Sequence, residues 1–477
     1  MVVAVLDDGI IEEAYSCIGQ LAWDVEVKDN LEVVDRKKQG SKIAASYKSG
    51  GLPKRVNSHG TICGAIIKKY EPGVRLASIK VMQEENGRGD PEKVIKALEW
   101  CEKQQITVCH MSIGSQEIAD YQKFRGILNR LLRAGTIIIA AMSNDGKFSM
   151  PSDFPGIIRV KADASLKEKE YRIGRKDCFD ADFYTSGMHM LPIDTGKEET
   201  IAGENSFAAP VLTALVCGIR KQHPEYALGQ ILDKLYQGAC NREEWKGDLS
   251  LYINRFPDFK GNRDWLDIDS VSESISRQKT EDSRYLGAEV KEEAPGWLYS
   301  KCREEGLLYF ARREYCESLK SPDREREELQ IPVIELCGRQ AEVLKMHALF
   351  SDYLSENGYP NIVLSDMEEE PSFPVIWIPD TLQFWDTARW IIPHFNAAAA
   401  IVCRKGNPDK KDDFAENEKL GGNKKSGGEE RTYADITVVI EESQIRCRYD
   451  EEYEIFDLYC VSYLDVIQSI VALMERG

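Results

Sequence analysis

No two of the 13 cysteines stand as a CxxC pair, their number is odd, and they are scattered from Cys17 to Cys460. That excludes a disulfide framework and a zinc ribbon. Free thiols on this scale point to a reducing compartment, so a cytoplasmic location is expected. No apolar run approaches the roughly 20 residues that span a bilayer, and the opening MVVAVLDDGI lacks the basic start and cleavage site of a secretory signal. No membrane partner is expected. A basic excess is missing too: 80 acidic side chains face 62 basic ones, a net charge of −18. Residues 1–240 balance at 32 of each sign, so the other half, with 48 acids and 30 bases, carries the whole excess. Neither half offers nucleic acid a basic face. The acidic half is either a solvated surface or a docking site for a basic partner. Histidine is scarce, with six in 477 residues.

The length suits two or three domains. In the first half, apolar strand-like runs (VVAVL at 2–6, LASIKVM at 76–82, ITVCHM at 106–111, TIIIAAM at 136–142 and IIRVKA at 157–162) alternate with amphipathic stretches at 90–105 and 117–134. Such alternation predicts an α/β fold with a parallel sheet and helices on both faces. Two helices are expected at 206–220 and 226–238, ending a first domain at about 245. A charged region, partly helical, is expected over 246–328. A second, smaller α/β domain over 329–477 follows from IPVIEL (331–336), a helix at 341–357, PVIWIP (374–379), AAAIVC (398–403), ITVVIE (436–441) and a last helix from 462. It is interrupted at about 405–432 by a Gly, Lys, Glu and Asn-rich insert expected to be mobile.

Catalytic groups in open α/β sheets gather at the carboxyl ends of the strands, and Asp7, Ser112 and Asn144 follow strands there. GENSFAAPVLTALV (203–216) starts polar and turns apolar. By residue type, Ser206 is a helix cap or a nucleophile at a helix N-terminus, and Pro210 fits the first turn in either case. VAVLDDGI delivers Asp7 and its neighbour Asp8 from a strand, and either could serve as a strand-end carboxylate. NSHGTICGAII opens an apolar helix with His59. TIIIAAMSNDG ends at Asn144, a turn residue or a side-chain donor.

These four motifs, in this order, resemble the subtilisin-like serine proteases over about residues 2–240. The resemblance implies that Ser206 is the nucleophile, His59 its general base and Asp7 the carboxylate that orients the imidazole. The Asn144 amide and the Ser206 backbone N–H would then donate to the oxyanion. His110, His189, His223, His347 and His394 lack such a context and are expected to be structural. Cys63, one helical turn beyond His59, matches a free cysteine that some members hold beneath the histidine. It reads as a small buried hydrophobe rather than a redox switch.

An extended peptide would add as a strand between Ser112-Ile113-Gly114 and Gly87-Arg88-Gly89, with Ala140, Ala141 and Met142 around the pocket for the residue before the scissile bond. Arg88 and Asp145 are solvated loop residues or a charge bias on that pocket. The chain departs from the family's pattern at Glu204, where glycine is usual, and at Asn205, where threonine is usual. Six residues precede Asp7, so no pro-segment is expected. The short turn YEPGVR lacks the loop that holds calcium in many members, so no metal and no cofactor are expected. The long interval between Asp7 and His59 holds the basic, Gly-containing KKQGSKIAASYKSGGLPKR, a flap over the substrate or a plain surface loop.

In the second half, IPVIELCGRQAEVLKMH passes from strand through Gly338 into helix, but without the GK[ST] ending that holds phosphate and magnesium. An interaction or regulatory domain is expected there, able to dock a substrate or partner. The functional expectation is a cytoplasmic serine endopeptidase acting on a peptide or flexible segment, such as the leader of a bacterial precursor peptide. The rival is an impaired subtilisin-like fold, disabled at Glu204-Asn205, that only binds peptides.

Overall fold

The computed structural model describes residues 1–37, 58–82, 90–154, 156–174, 181–192, 198–226, 228–242, 329–367, 375–378, 384–405, 434–441, 443–449 and 452–475. The basic insert after residue 37, Gly87-Arg88-Gly89, the charged region over 246–328 and the Gly and Lys-rich insert lie outside the described residues. The chain divides into two compact units, Met1–Ala288 and Glu289–Gly477.

In the first unit, VVAVLD forms β1 (Val2–Asp7), with five of its six residues buried. A strand buried on both faces belongs at the middle of a sheet covered by helices. The sheet has nine strands in the order β3-β2-β4-β1-β5-β6-β7-β9-β8. These are β2 (Trp23–Val27), β3 (Val33–Asp35), β4 (Arg75–Lys80), β5 (Val108–Met111), β6 (Ile137–Ala141), β7 (Ile158–Ala162), β8 (Tyr171–Ile173) and β9 (Phe183–Thr185). The seven from β2 to β9 run parallel, while β3 and β8 close the two edges antiparallel. The five predicted strands are the inner ones. Those not predicted are the two short strands at each side, β3 and β2, β9 and β8, where three to five residues cannot display a period. A separate hairpin pairs β10 (Met188–Pro192) with β11 (Glu198–Ala202).

Alternation along β1 divides the layers. Val3 and Val5 point into a core shared with α1 (His59–Tyr70), α4 (Asn205–Gln222) and α5 (Leu228–Gly238). The opposite face carries α2 (Pro91–Lys103) and α3 (Asp120–Arg133), which pack on each other and on β1 and β6. Register fixes the functional edge: Leu6, Met111 and Ala140 form one row across β1, β5 and β6, so Asp7, Ser112 and Ala141 begin the next, at the carboxyl rim.

Arg159 on β7 is fully buried between Asp153 and Asp182, with Nη1 3.1 Å from one carboxylate and Nη2 3.4 Å from the other. Removing one member of such a group strands the remaining charges in the interior, so Asp182→Ala is expected to cost about 3–5 kcal/mol in denaturant unfolding. A loss below about 1 kcal/mol would show that water reaches these carboxylates.

The second unit holds a seven-stranded sheet, β14-β13-β15-β12-β16-β17-β18. Its strands are β12 (Val333–Gly338), β13 (Asn361–Ser365), β14 (Val375–Trp377), β15 (Ala399–Lys405), β16 (Ile436–Ile440), β17 (Gln444–Tyr449) and β18 (Glu452–Asp457). The first five positions in that order are parallel, and β17 and β18 are added by antiparallel pairing, β17 on β16 and β18 on β17. Its core lies between this sheet and the helices α6 (Gln340–Glu356) and α8 (Tyr463–Met474), while α7 (Phe384–Ile391) precedes β15. Gly338, at φ +145°, needs to be glycine, since a Cβ there would sit 2.4 Å from the Ile440 carbonyl oxygen. Among the described residues, no helix is long and apolar enough to cross a membrane.

Candidate active site

β1 ends in two carboxylates with different tasks. Asp7 is buried, and its oxygens lie 3.0 and 2.9 Å from His59 Nδ1, an imidazole 52 residues away in sequence. Asp8 instead caps α1, accepting the His59 N–H at 2.9 Å and the Gly60 N–H at 2.8 Å. Ser58 adds the side-chain cap to Thr61. Gly60 permits the close approach: a Cβ there would lie 2.7 Å from the Gly9 carbonyl oxygen and 2.8 Å from Asp7 Cβ. The two strand-end carboxylates are thus told apart by contact: Asp7 takes the ring and Asp8 the helix.

Burial works against charging His59, but the Asp7 hydrogen bond and the charges of Asp7 and Asp8 outweigh it and hold the imidazole above its ordinary value of 6.5. Burial and the neighbouring Asp7 charge raise Asp8 in turn.

Ser206 is the second residue of α4. The helix begins at Asn205, so Pro210 lies inside it rather than in the first turn. Proline supplies no N–H to the carbonyl four residues earlier, which is that of Ser206. Two side chains fill the vacancy: Ser112 Oγ donates to the Ser206 carbonyl at 2.8 Å and Cys63 Sγ at 3.6 Å. The next two carbonyls are also held, Phe207 O by His189 Nε2 at 2.9 Å and Ala208 O by Thr185 Oγ1 at 2.7 Å. The Phe207 ring stacks on His59 with centroids 5.3 Å apart. The heads of α1 and α4 therefore meet at the carboxyl rim. Ser206 Oγ lies 3.5 Å from the Ser112 carbonyl oxygen, and no hydrogen bond joins it to His59.

Asn205 and Asn144 fasten the loop after β6. The buried Asn205 amide donates to Met142 O and Ser143 O, each at 3.1 Å, and accepts from Ala162 N–H at 2.9 Å. Asn144 Oδ1 accepts the Asn205 N–H at 3.3 Å, and its Nδ2 donates to the Glu204 carboxylate. Ser112, Ile113 and Gly114 line a cavity of about 430 Å³ together with Asp7 and His59, with apolar walls from Met82, Val94, Phe124 and Met150. Ala140, Ala141 and Met142 are buried at the end of β6 and do not line that cavity. Asp145 accepts from Gln116 and Ser143 on the exposed turn.

Two histidines expected to be structural touch the surroundings of Ser206. His110, fully buried, bonds Thr213 Oγ1 at 2.9 Å and Ser112 Oγ at 3.0 Å, and burial pushes its pKa down to about 3. His189 holds Phe207, and burial lowers it as well. The sequence signal for His110 was its place two residues before Ser112, on the same face of β5. His189 lies in an unpredicted hairpin and gave no signal.

Asp7, His59 and Cys63 offer a carboxylate, an imidazole and a thiol whose atoms lie within 4.8 Å of one another. The carboxylate already faces Nδ1, and burial with the nearby Asp7 charge holds the Cys63 thiol well above its usual range. The set suits hydrogen bonding better than thiolate ligation.

A buried strand-end carboxylate thus meets an imidazole at one helix head, and Ser206 stands at the head of a second helix. The family model of the subtilases matches residues 1–239, and the chain belongs to that family. It is 23% identical over 210 residues to a thermostable alkaline protease of Halalkalibacterium halodurans, a match covering 42% of this chain and 55% of that protein. It is also 23% identical over 186 residues to the major intracellular serine protease of Bacillus subtilis, covering 35% of this chain and 57% of that one. The chain thus spans little more than half the length of these curated relatives. Among solved structures, it is similar to the nisin leader peptidase NisP of Lactococcus lactis at 17% identity and a TM-score of 0.36, covering 50% of this chain and 82% of that one. A lanthipeptide protease is similar at 14% identity and a TM-score of 0.38, covering 50% and 80%.

Proposed function

We propose that the chain is a serine endopeptidase that hydrolyses peptide bonds through an acyl-enzyme on Ser206. The observation that carries this reading is the Asp7–His59 pairing, with both carboxylate oxygens about 3 Å from Nδ1 and Nε2 left for a second partner. The mechanism requires the Ser206 side chain to turn off the Ser112 carbonyl, where it now lies at 3.5 Å, and bring its hydroxyl to Nε2. His59 takes the proton as Oγ attacks, then returns it to the leaving amine, while Asp7 holds Nδ1–H and stabilises the imidazolium. Asn144 Nδ2 and the Ser206 N–H receive the developing oxyanion, helped by the positive end of α4. An extended peptide pairs with Ser112-Ile113-Gly114, with Ala140, Ala141 and Met142 backing the pocket before the scissile bond. A flexible segment such as the leader of a precursor peptide meets that requirement for extension. The ten free cysteines among the described residues support a reducing, cytoplasmic setting.

A neutral fluorophosphonate probe tests the reading: it should label the parent chain and leave Ser206→Ala unlabelled. Labelling of neither assigns the fold to peptide binding alone. The raised His59 pKa sets a further expectation. A general base works only when deprotonated, so kcat/KM should climb with pH to a midpoint above 6.5, the ordinary imidazole value. A midpoint below that value would mean that desolvation, not Asp7, controls the ring.

A further inference from the structure

The amide that would receive the oxyanion is already in use. Asn144 Nδ2 donates to the Glu204 carboxylate, and the Asn205 N–H on Asn144 Oδ1 fixes which way the amide points. Glu204 occupies the N-cap position of α4, but its side chain caps no helical N–H. Among the described residues, no lysine, arginine or histidine pairs with that carboxylate, and it is exposed. A carboxylate has the charge and acceptor geometry of an oxyanion, and both draw on the same donor and the same helix end. They cannot share it: as negative charge grows on the substrate, a second negative charge beside it opposes the transition state.

We propose that Glu204 is a specificity-determining residue that makes turnover favour substrates with a lysine or arginine just beyond the scissile bond. The proposal rests on the endopeptidase reading above and names its substrate class. A cationic side chain there draws the carboxylate off Asn144 and cancels its charge, so the donor becomes free as the oxyanion forms. This gain is realised in the transition state and acts on rate rather than on binding alone. The side follows from placement. The cavity built on Ser112, Ile113 and Gly114, which the reading above gives to the residues before the scissile bond, does not include Glu204; its carboxylate lies on Asn144, two residues before Ser206, and is assigned to the other side of the bond. An uncharged or acidic leaving residue leaves the carboxylate on the donor and is cleaved slowly.

The test uses the full chain and matched fluorogenic peptides, chosen from sequences cut in a library digest, that differ only after the scissile bond: arginine, lysine, alanine or glutamate. The parent should cleave the arginine and lysine peptides with kcat/KM about tenfold or more above alanine, with glutamate slowest. Glu204→Ala and the near-isosteric Glu204→Gln should cleave the alanine peptide about tenfold faster than the parent and lose the preference for cations. An equal rate on all four peptides, or a cation preference that survives both substitutions, overturns the proposal. In either case, labelling of Ser206 by a neutral fluorophosphonate keeps the endopeptidase reading. No hydrolysis together with no labelling overturns both.

Discussion

Ser206→Ala is expected to lower kcat by about 10⁶-fold, His59→Ala by a similar factor, and the double substitution by no more than either alone, because nucleophile and base act as one unit. The reference point is residual hydrolysis driven by substrate binding and the Asn144 donor, which neither change removes. Neither substitution should unfold the chain. Ser206 Oγ makes only a 3.5 Å contact with Ser112 O, while the backbone around it is anchored by other side chains. His59 heads a helix whose first amides are capped by Asp8 and Ser58 rather than by its own ring. Multiplying single-mutant losses would mean that the two residues act in separate steps, which the proposed mechanism does not allow.

Asp7→Asn should leave the fold in place and lower kcat by about 10⁴-fold. The carboxylate is 1% exposed and accepts both from Nδ1 and from the Asp8 N–H at 2.8 Å. An asparagine there turns one acceptor into a donor. If its oxygen stays on the Asp8 N–H, its NH₂ faces Nδ1, the ring carries its proton on Nε2, and Ser206 has no base. Loss of the negative charge also removes the main support for a protonated imidazole, so the alkaline displacement of the pH profile should shrink in the same variant. A full-rate Asp7→Asn enzyme would transfer the orienting role to Asp8, whose oxygens are committed to two backbone amides.

How much of this could be read from the sequence varied with the physical signal behind each part. The inner strands were legible because a strand buried on both faces is a continuous apolar run. The helix starting at His59 was legible because its apolar residues follow a polar opening. The proposed catalytic residues were singled out at strand and helix ends because four motifs fall in the family's order, and two of them, Asp7 and His59, are in contact. The short strands at and beside the edges were not: β3, β8 and β9 have three residues each. Likewise, β13 (NIVLS) is a short apolar run whose type periodicity alone does not settle. Within the site, Asn205 looked from its residue type like a disturbance of the serine loop. In the fold its amide makes three buried or half-buried hydrogen bonds that bind the β6 exit to β7. Glu204 shows the opposite limit: the sequence marked it as unusual, but only coordinates reveal that its carboxylate reaches Asn144.

The imino nitrogen at Pro210 has a consequence for where the attacking hydroxyl gets its rigidity. Because the Ser206 carbonyl is bonded by Ser112, just past β5, and by Cys63 on α1 instead of from its own helix, its position is set by the carboxyl rim of the sheet and the neighbouring helix. Fraying of the first turn of α4, the ordinary fate of a helix end, would have to break the hydrogen bonds from the buried Ser112 and Cys63. The proposed nucleophile is thus tied to groups outside its own helix, while that helix supplies the field.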